Sequence, residues 1–134
     1  MRLKRYLGRI QNILYSRKEI SIELFRVKEI VPDQAGIIEG RLRFWDGSLL
    51  EFTEVLAEQG VVLIKTDYAY HYQDADDKLV FRYDNTPHHP EVSTHPHHKH
   101  TSTSIEATSP PHLNDVLHEI DQYLYLKALP GAQS

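Results

Sequence analysis

Residues 61–84 read VVLIKTDYAYHYQDADDKLVFRYD, and this stretch decides the fold. Val61–Tyr72 is dense in β-branched and aromatic residues, which pack well on a pleated surface. Gln73-Asp74-Ala75-Asp76-Asp77 is an acidic turn, after which Leu79–Asp84 resumes as a strand. Two strands joined by a short turn pair antiparallel. Facing Tyr72 with Leu79, Tyr70 with Phe81 and Tyr68 with Tyr83 gathers the rings on one face. The other face then carries Asp67, Ala69 and His71 beside Asp84, Arg82 and Val80. A sheet with one apolar and one polar face calls for a covering layer on one side only.

The same logic extends upstream. Ile38, Gly40, Leu42 and Phe44 mark one face of an earlier strand, and Leu50 and Phe52 lead the next. Asp46-Gly47 between them is a hairpin signal. Pairing Phe44 with Leu50 and Leu42 with Phe52 sets Arg43 opposite Glu51. Glu19–Ile30 alternates through Ile20, Ile22 and Leu24 before Phe25 and Val27 break phase, which predicts a bulge. Pro32 to Gly36 forms the following turn.

Helices flank these strands. In residues 2–16, Leu3, Tyr6, Leu7, Ile10, Ile13 and Leu14 follow the spacing of one buried helical face. Near the other end, Ser109 is expected to cap a helix with Pro110 at its first position. That helix buries Leu113, Val116, Leu117, Ile120 and Leu124 and stops at Leu129-Pro130-Gly131. The expected fold is therefore α+β: a five-stranded antiparallel meander with one face covered by the N- and C-terminal helices, a two-layer sandwich. The length of 134 residues suits one domain, 1–134, with a His/Pro-rich loop at 85–109 and a loose tail at 129–134. Short β pieces are expected within the loop at Glu91–Thr94 and Ser104–Ala107.

Composition narrows the function. Fifteen Lys and Arg against nineteen Asp and Glu exclude a uniformly basic nucleic-acid binder. The basic residues are nevertheless uneven. Arg2, Lys4, Arg5, Arg9, Arg17 and Lys18 precede the first acidic residue, leaving nine basic against nineteen acidic in the rest. Arg2, Arg5 and Arg9 share one face of the first helix and are candidate contacts for a nucleic-acid backbone or an acidic partner. With no cysteine, disulfides, thiolate-bound zinc and a cysteine nucleophile are excluded, and the cytosol is the default compartment. The longest aliphatic run, Val61-Val62-Leu63-Ile64, is far short of the ~20 apolar residues of a membrane span. Arg2, Lys4, Arg5 and Arg9 interrupt any signal-peptide apolar core.

Histidine stands out. Six of the nine lie between His88 and His100. Imidazole moves protons near neutral pH and also binds borderline metals. Arg82 and Asp84 share a strand face just before this segment, as an orienter for histidine and a clamp for phosphate.

The runs Tyr70-His71-Tyr72-Gln73-Asp74, Phe81-Arg82-Tyr83-Asp84-Asn85, Pro87-His88-His89-Pro90-Glu91 and Pro96-His97-His98-Lys99-His100, followed by Leu113-x-x-Val116-Leu117-x-Glu119-Ile120, resemble the TumE family of small prokaryotic proteins. The likeness covers roughly residues 37–120 and rests on the PHHP…PHHKH signature. The resemblance implies a cytoplasmic toxin of a toxin–antitoxin module, paired with a helix-turn-helix antitoxin from a neighbouring gene. It brings no catalytic residues with it.

The leading reading is a ribonuclease without metal or cofactor. Such an enzyme needs a base for the 2′-hydroxyl, an acid for the leaving oxygen and a cation for the phosphate. His88, His89, His97, His98 and His100 are the acid–base candidates, with Lys99 and Arg82 as cations and Asp84 as orienter. The alternative is a non-catalytic metal-binding or protein-interaction module, with zinc or nickel on His95, His97, His98 and His100.

Overall fold

The computed structural model describes residues 2–87 and 89–130, so the expectations for His88 and for residues 131–134 lie outside the described residues. The chain runs α1 (Arg2–Tyr15), β1 (Ser21–Val31), β2 (Ala35–Arg43), β3 (Leu49–Gln59), β4 (Val62–Gln73), β5 (Leu79–Asp84), β6 (His98–Thr101), β7 (Ile105–Ala107) and α2 (Leu113–Ala128). All the strands form one open antiparallel sheet in sequence order. It is the expected meander with a covering layer of two helices, but it has seven strands, not five. The two extra strands come from the segment read as a loop, where β7 matches the short β piece expected at Ser104–Ala107 and β6 is not among the expected pieces. They continue the backbone ladder past β5, which would otherwise present unpaired N–H and C=O groups.

The core lies between the sheet and the helices. Leu3, Ile10 and Leu14 of α1 and Leu113, Val116, Leu117, Ile120 and Leu124 of α2 are buried on Ile38, Leu42, Phe52, Tyr70, Tyr72 and Phe81. The expected α2 face is the one buried, but its start is not where the sequence placed it. His112 is the N-cap, and Asp115 accepts its backbone N–H at 2.9 Å. Ser109 does not cap this helix because Pro110 precedes Pro111, and a residue before proline is pushed out of the helical region.

Both hairpin registers differ from the expected ones by two residues. Arg41, not Arg43, faces Glu51, and Leu42 faces Leu50. The cause is the loop: Phe44 N–H donates to Ser48 O at 2.9 Å and Gly47 takes φ +87°, so three residues turn the chain. Across β4 and β5, Tyr70 faces Tyr83 and Tyr72 faces Phe81, with an irregularity between Tyr72 and Gln73. A shift of two leaves every side chain on its expected face. The bulge in β1 is present between Ile22 and Leu24. Glu91–Thr94, expected as a β piece, is instead a series of turns, with Val92 N–H donating to His89 O at 3.2 Å and His95 N–H to Val92 O at 3.0 Å.

Gly40 is required by a close approach. A Cβ there would lie 2.1 Å from Cε1 of Phe52, whose ring stacks on Tyr70 with centroids 6.2 Å apart. Overpacking of this kind typically costs about 1–3 kcal/mol. Gly40→Ala is expected to lose that much folding stability, read as a fall in the urea midpoint at unchanged slope, and a midpoint equal to the parent's would show that the Phe52 ring swings aside freely.

Candidate functional site

The helices cover one sheet face and leave the other open. On the open face Arg82 and Asp84 stand two residues apart on β5, as strand periodicity requires. Arg82 lies between His71 of β4 and His100 of β6, and Asp84 faces His98 of β6. Two grooves, of about 440 and 660 Å³, share His71 and Arg82 in their walls. The first is completed by Glu39, Arg41, Glu51 and Thr53, the second by Leu79, His100, Thr101 and Ile105.

Asp84, 4% exposed, is the hub. It accepts hydrogen bonds from Arg82 Nε at 2.9 Å and the Thr86 backbone N–H at 3.0 Å, and it lies 2.9 Å from His98 Nε2. Burial alone would raise its carboxyl. The Thr86 N–H, the Arg82 guanidinium and charge on His98 outweigh that and hold it below the usual carboxylate range. His98 is 2% exposed, and its Nδ1 lies 2.8 Å from Pro96 O. His89, from the preceding loop, closes against His98 and His100. The three ring centroids are 5.1, 5.4 and 4.7 Å apart, edge to face. The His100 imidazole sits below the ordinary histidine range, through burial first and then through repulsion from His98.

The structure therefore divides the sequence-predicted residues. Arg82, Asp84, His89, His98 and His100 meet on the open face. Lys99 points the opposite way: its Nζ donates to Glu119 of α2 at 2.8 Å and lies over the Phe81 and Tyr83 rings. Glu119 and Tyr83 raise the Lys99 ammonium above its ordinary value against the effect of burial. His97 stacks on Tyr68, with its Nδ1 3.0 Å from the phenol oxygen. Burial and the neighbouring His98 lower its imidazole. His95 is exposed. Thus the expected zinc or nickel set of His95, His97, His98 and His100 is not brought together as four. Strand alternation puts His98 and His100 on one face of β6, whereas His95 and His97 lie before the strand, in the turn-rich segment.

Arg2, Arg5 and Arg9 lie on α1, in the other layer. Arg2 pairs with Glu58 at 2.9 Å, and Arg5 and Arg9 line a groove of about 420 Å³ with Tyr6, Leu63, Lys65 and His112.

Sequence reasoning missed two features. One is that His89, named among the acid–base candidates but not in the metal set, closes the trio with His98 and His100, for which loop spacing offers no signal. The other is a buried polar cluster beneath α1. Glu54, 0% exposed, accepts from the hydroxyls of Tyr6 and Tyr70, and Lys65 Nζ lies 3.7 Å away. Here a signal existed, because Glu54 falls in phase with Leu50, Phe52 and Leu56.

The family model described as Toxin TumE matches residues 10–124. No curated protein and no solved structure matches the chain. Among the described residues no helix is long and apolar enough to cross a membrane.

Proposed function

The chain belongs to the TumE toxin family, and we propose that it is a toxin that cleaves RNA by metal-independent acid–base chemistry on the open face of its sheet. The observation that carries this reading is the convergence of His89 and His100, centroids 5.4 Å apart, beside a groove walled by Arg82. His100, held toward its neutral form, takes the proton of a ribose 2′-hydroxyl. The freed oxygen attacks the adjacent phosphorus, the bond to the 5′-oxygen breaks, and His89 gives that oxygen its proton. Arg82 faces the charge that develops on the phosphate, and the Asp84–His98 pair holds β6 in place beside it. The basic helix stands outside this site, where Arg5 and Arg9 remain open to an RNA backbone or to an acidic segment of a cognate antitoxin, which we take to be a cytoplasmic helix-turn-helix protein.

The test is expression from a tightly controlled promoter, with and without the neighbouring gene, alongside incubation of the purified protein with RNA in EDTA. Growth arrest relieved by the neighbour, and products ending in 2′,3′-cyclic phosphate, are expected. Losing one acid–base group should cut the cleavage rate by about 10²–10⁴-fold. A His100→Ala protein as toxic and as active as the parent would refute this assignment.

A further inference from the structure

We propose that His89, His98 and His100 form a binding site for one borderline divalent cation, Zn²⁺ or Ni²⁺. The argument rests on geometry and stands apart from the ribonuclease reading. One ligand nitrogen from each ring lies within 4.8 Å of the other two. Around a tetrahedral ion with Zn–N near 2.1 Å, such nitrogens sit about 3.4 Å apart. The trio must therefore contract by at most about 1.4 Å. Two of the rings are fixed by β6, and the third comes from the turn-rich segment before it, so ring rotation and a small loop movement suffice.

The surroundings match what ligating histidines need. The Nδ1 of His98 points at Pro96 O, 2.8 Å away. A backbone carbonyl in that position fixes the tautomer that leaves the other nitrogen for a metal. That other nitrogen, Nε2, faces the Asp84 carboxylate oxygen at 2.9 Å. A cation seated in the trio places its charge directly beside this carboxylate. Asp84 stands outside the three-histidine group and offers its negative charge beside it, its second oxygen lying 3.8 Å from His100 Nε2. Nitrogen-rich ligand sets of this kind favour zinc, nickel or copper over magnesium or calcium. An ion seated here withdraws from proton transfer the imidazoles named above, so the two uses are alternatives at one place.

The experiment uses full-length protein carrying no affinity tag, stripped with EDTA, mixed with ZnCl₂ or NiCl₂ and passed through gel filtration. Metal content and calorimetric titration are the readouts. One equivalent per chain is expected to be retained. Changing groups that merely orient a ligand weakens metal binding by about 10–100-fold, so His89→Gln and His100→Gln should each lose at least that much. Both residues are only partly buried, and circular dichroism of each variant is the check that it folds. A His95→Ala/His97→Ala double variant should bind as the parent does. Failure of the parent to retain either metal, or a loss in the 95/97 variant as large as in the trio variants, would overturn the proposal. Neither outcome bears on RNA cleavage in EDTA.

Discussion

Replacing Glu54 with alanine is expected to remove about 3–5 kcal/mol of folding stability, the cost of leaving a buried charge without its partner. Glu54 is fully buried under α1, where the carboxylate receives the hydroxyls of Tyr6 and Tyr70. Lys65 extends into the same space, with Nζ 2.5 Å from Tyr70 Oη, 2.8 Å from Pro111 O and 3.7 Å from Glu54. Burial pulls the Lys65 ammonium below its ordinary value, and the charge of Glu54 is the largest influence that opposes this. Alanine would leave that ammonium with a phenol and a carbonyl alone, and would leave two phenol donors unpaired. The cost is large against the ~5–15 kcal/mol that holds a domain of this kind together. Glu54→Leu combined with Lys65→Met removes both charges and is expected to recover much of the loss, because a buried ion pair is often neutral against apolar replacements. Urea unfolding of the two single variants and the double variant gives the coupling directly. A Glu54→Ala protein within about 1 kcal/mol of the parent would mean that water enters beneath α1 and satisfies the orphaned groups.

The helices and the first five strands were legible because their burial is one-sided, and one-sided burial prints a period of 3.6 or 2 on the sequence. The hairpin registers were less so. A three-residue loop at Trp45-Asp46-Gly47 and an irregularity after Tyr72 shift the pairing, and both are decided by local backbone geometry. β6 was hidden for another reason. His98-Lys99-His100-Thr101 carries no apolar alternation, yet it alternates in use. Lys99 covers aromatic rings with its stem and reaches α2, while His98 and His100 face the acid on β5. A polar strand at a sheet's margin does not announce itself through hydropathy. The link between Asp84, Arg82 and the histidine segment was readable from their succession in the chain. Which histidines join it was not, because that depends on the turns between Pro90 and Pro96.

At the Asp84–His98 pair, a pH-dependent loss of stability is expected, and Asp84→Asn isolates it. Asp84 is held below its ordinary value in the folded chain, against burial, by the Thr86 N–H, Arg82 and His98. A carboxyl lowered on folding contributes stability that is fully present above its unfolded value, near 3.9. That contribution fades as pH falls through the lower, folded value. The advantage of the parent over Asp84→Asn that comes from the carboxyl should therefore be fully present at about pH 5 and shrink steadily below about 4. Asp84→Ala is the harsher change. It leaves His98, 2% exposed, without its carboxylate and removes the acceptor for the Thr86 N–H. It should cost about 3–5 kcal/mol at pH 7, as broken buried pairs do. Asparagine can still accept the Thr86 N–H and present an amide to His98, so its cost should be smaller. Arg82, 38% exposed at the side chain, returns to solvent in either variant at little cost. Chemical unfolding of all three proteins between pH 3 and pH 7 measures these differences. A gap between parent and Asp84→Asn that stays the same across that range would mean that the carboxylate charge plays no part in holding β5 against β6.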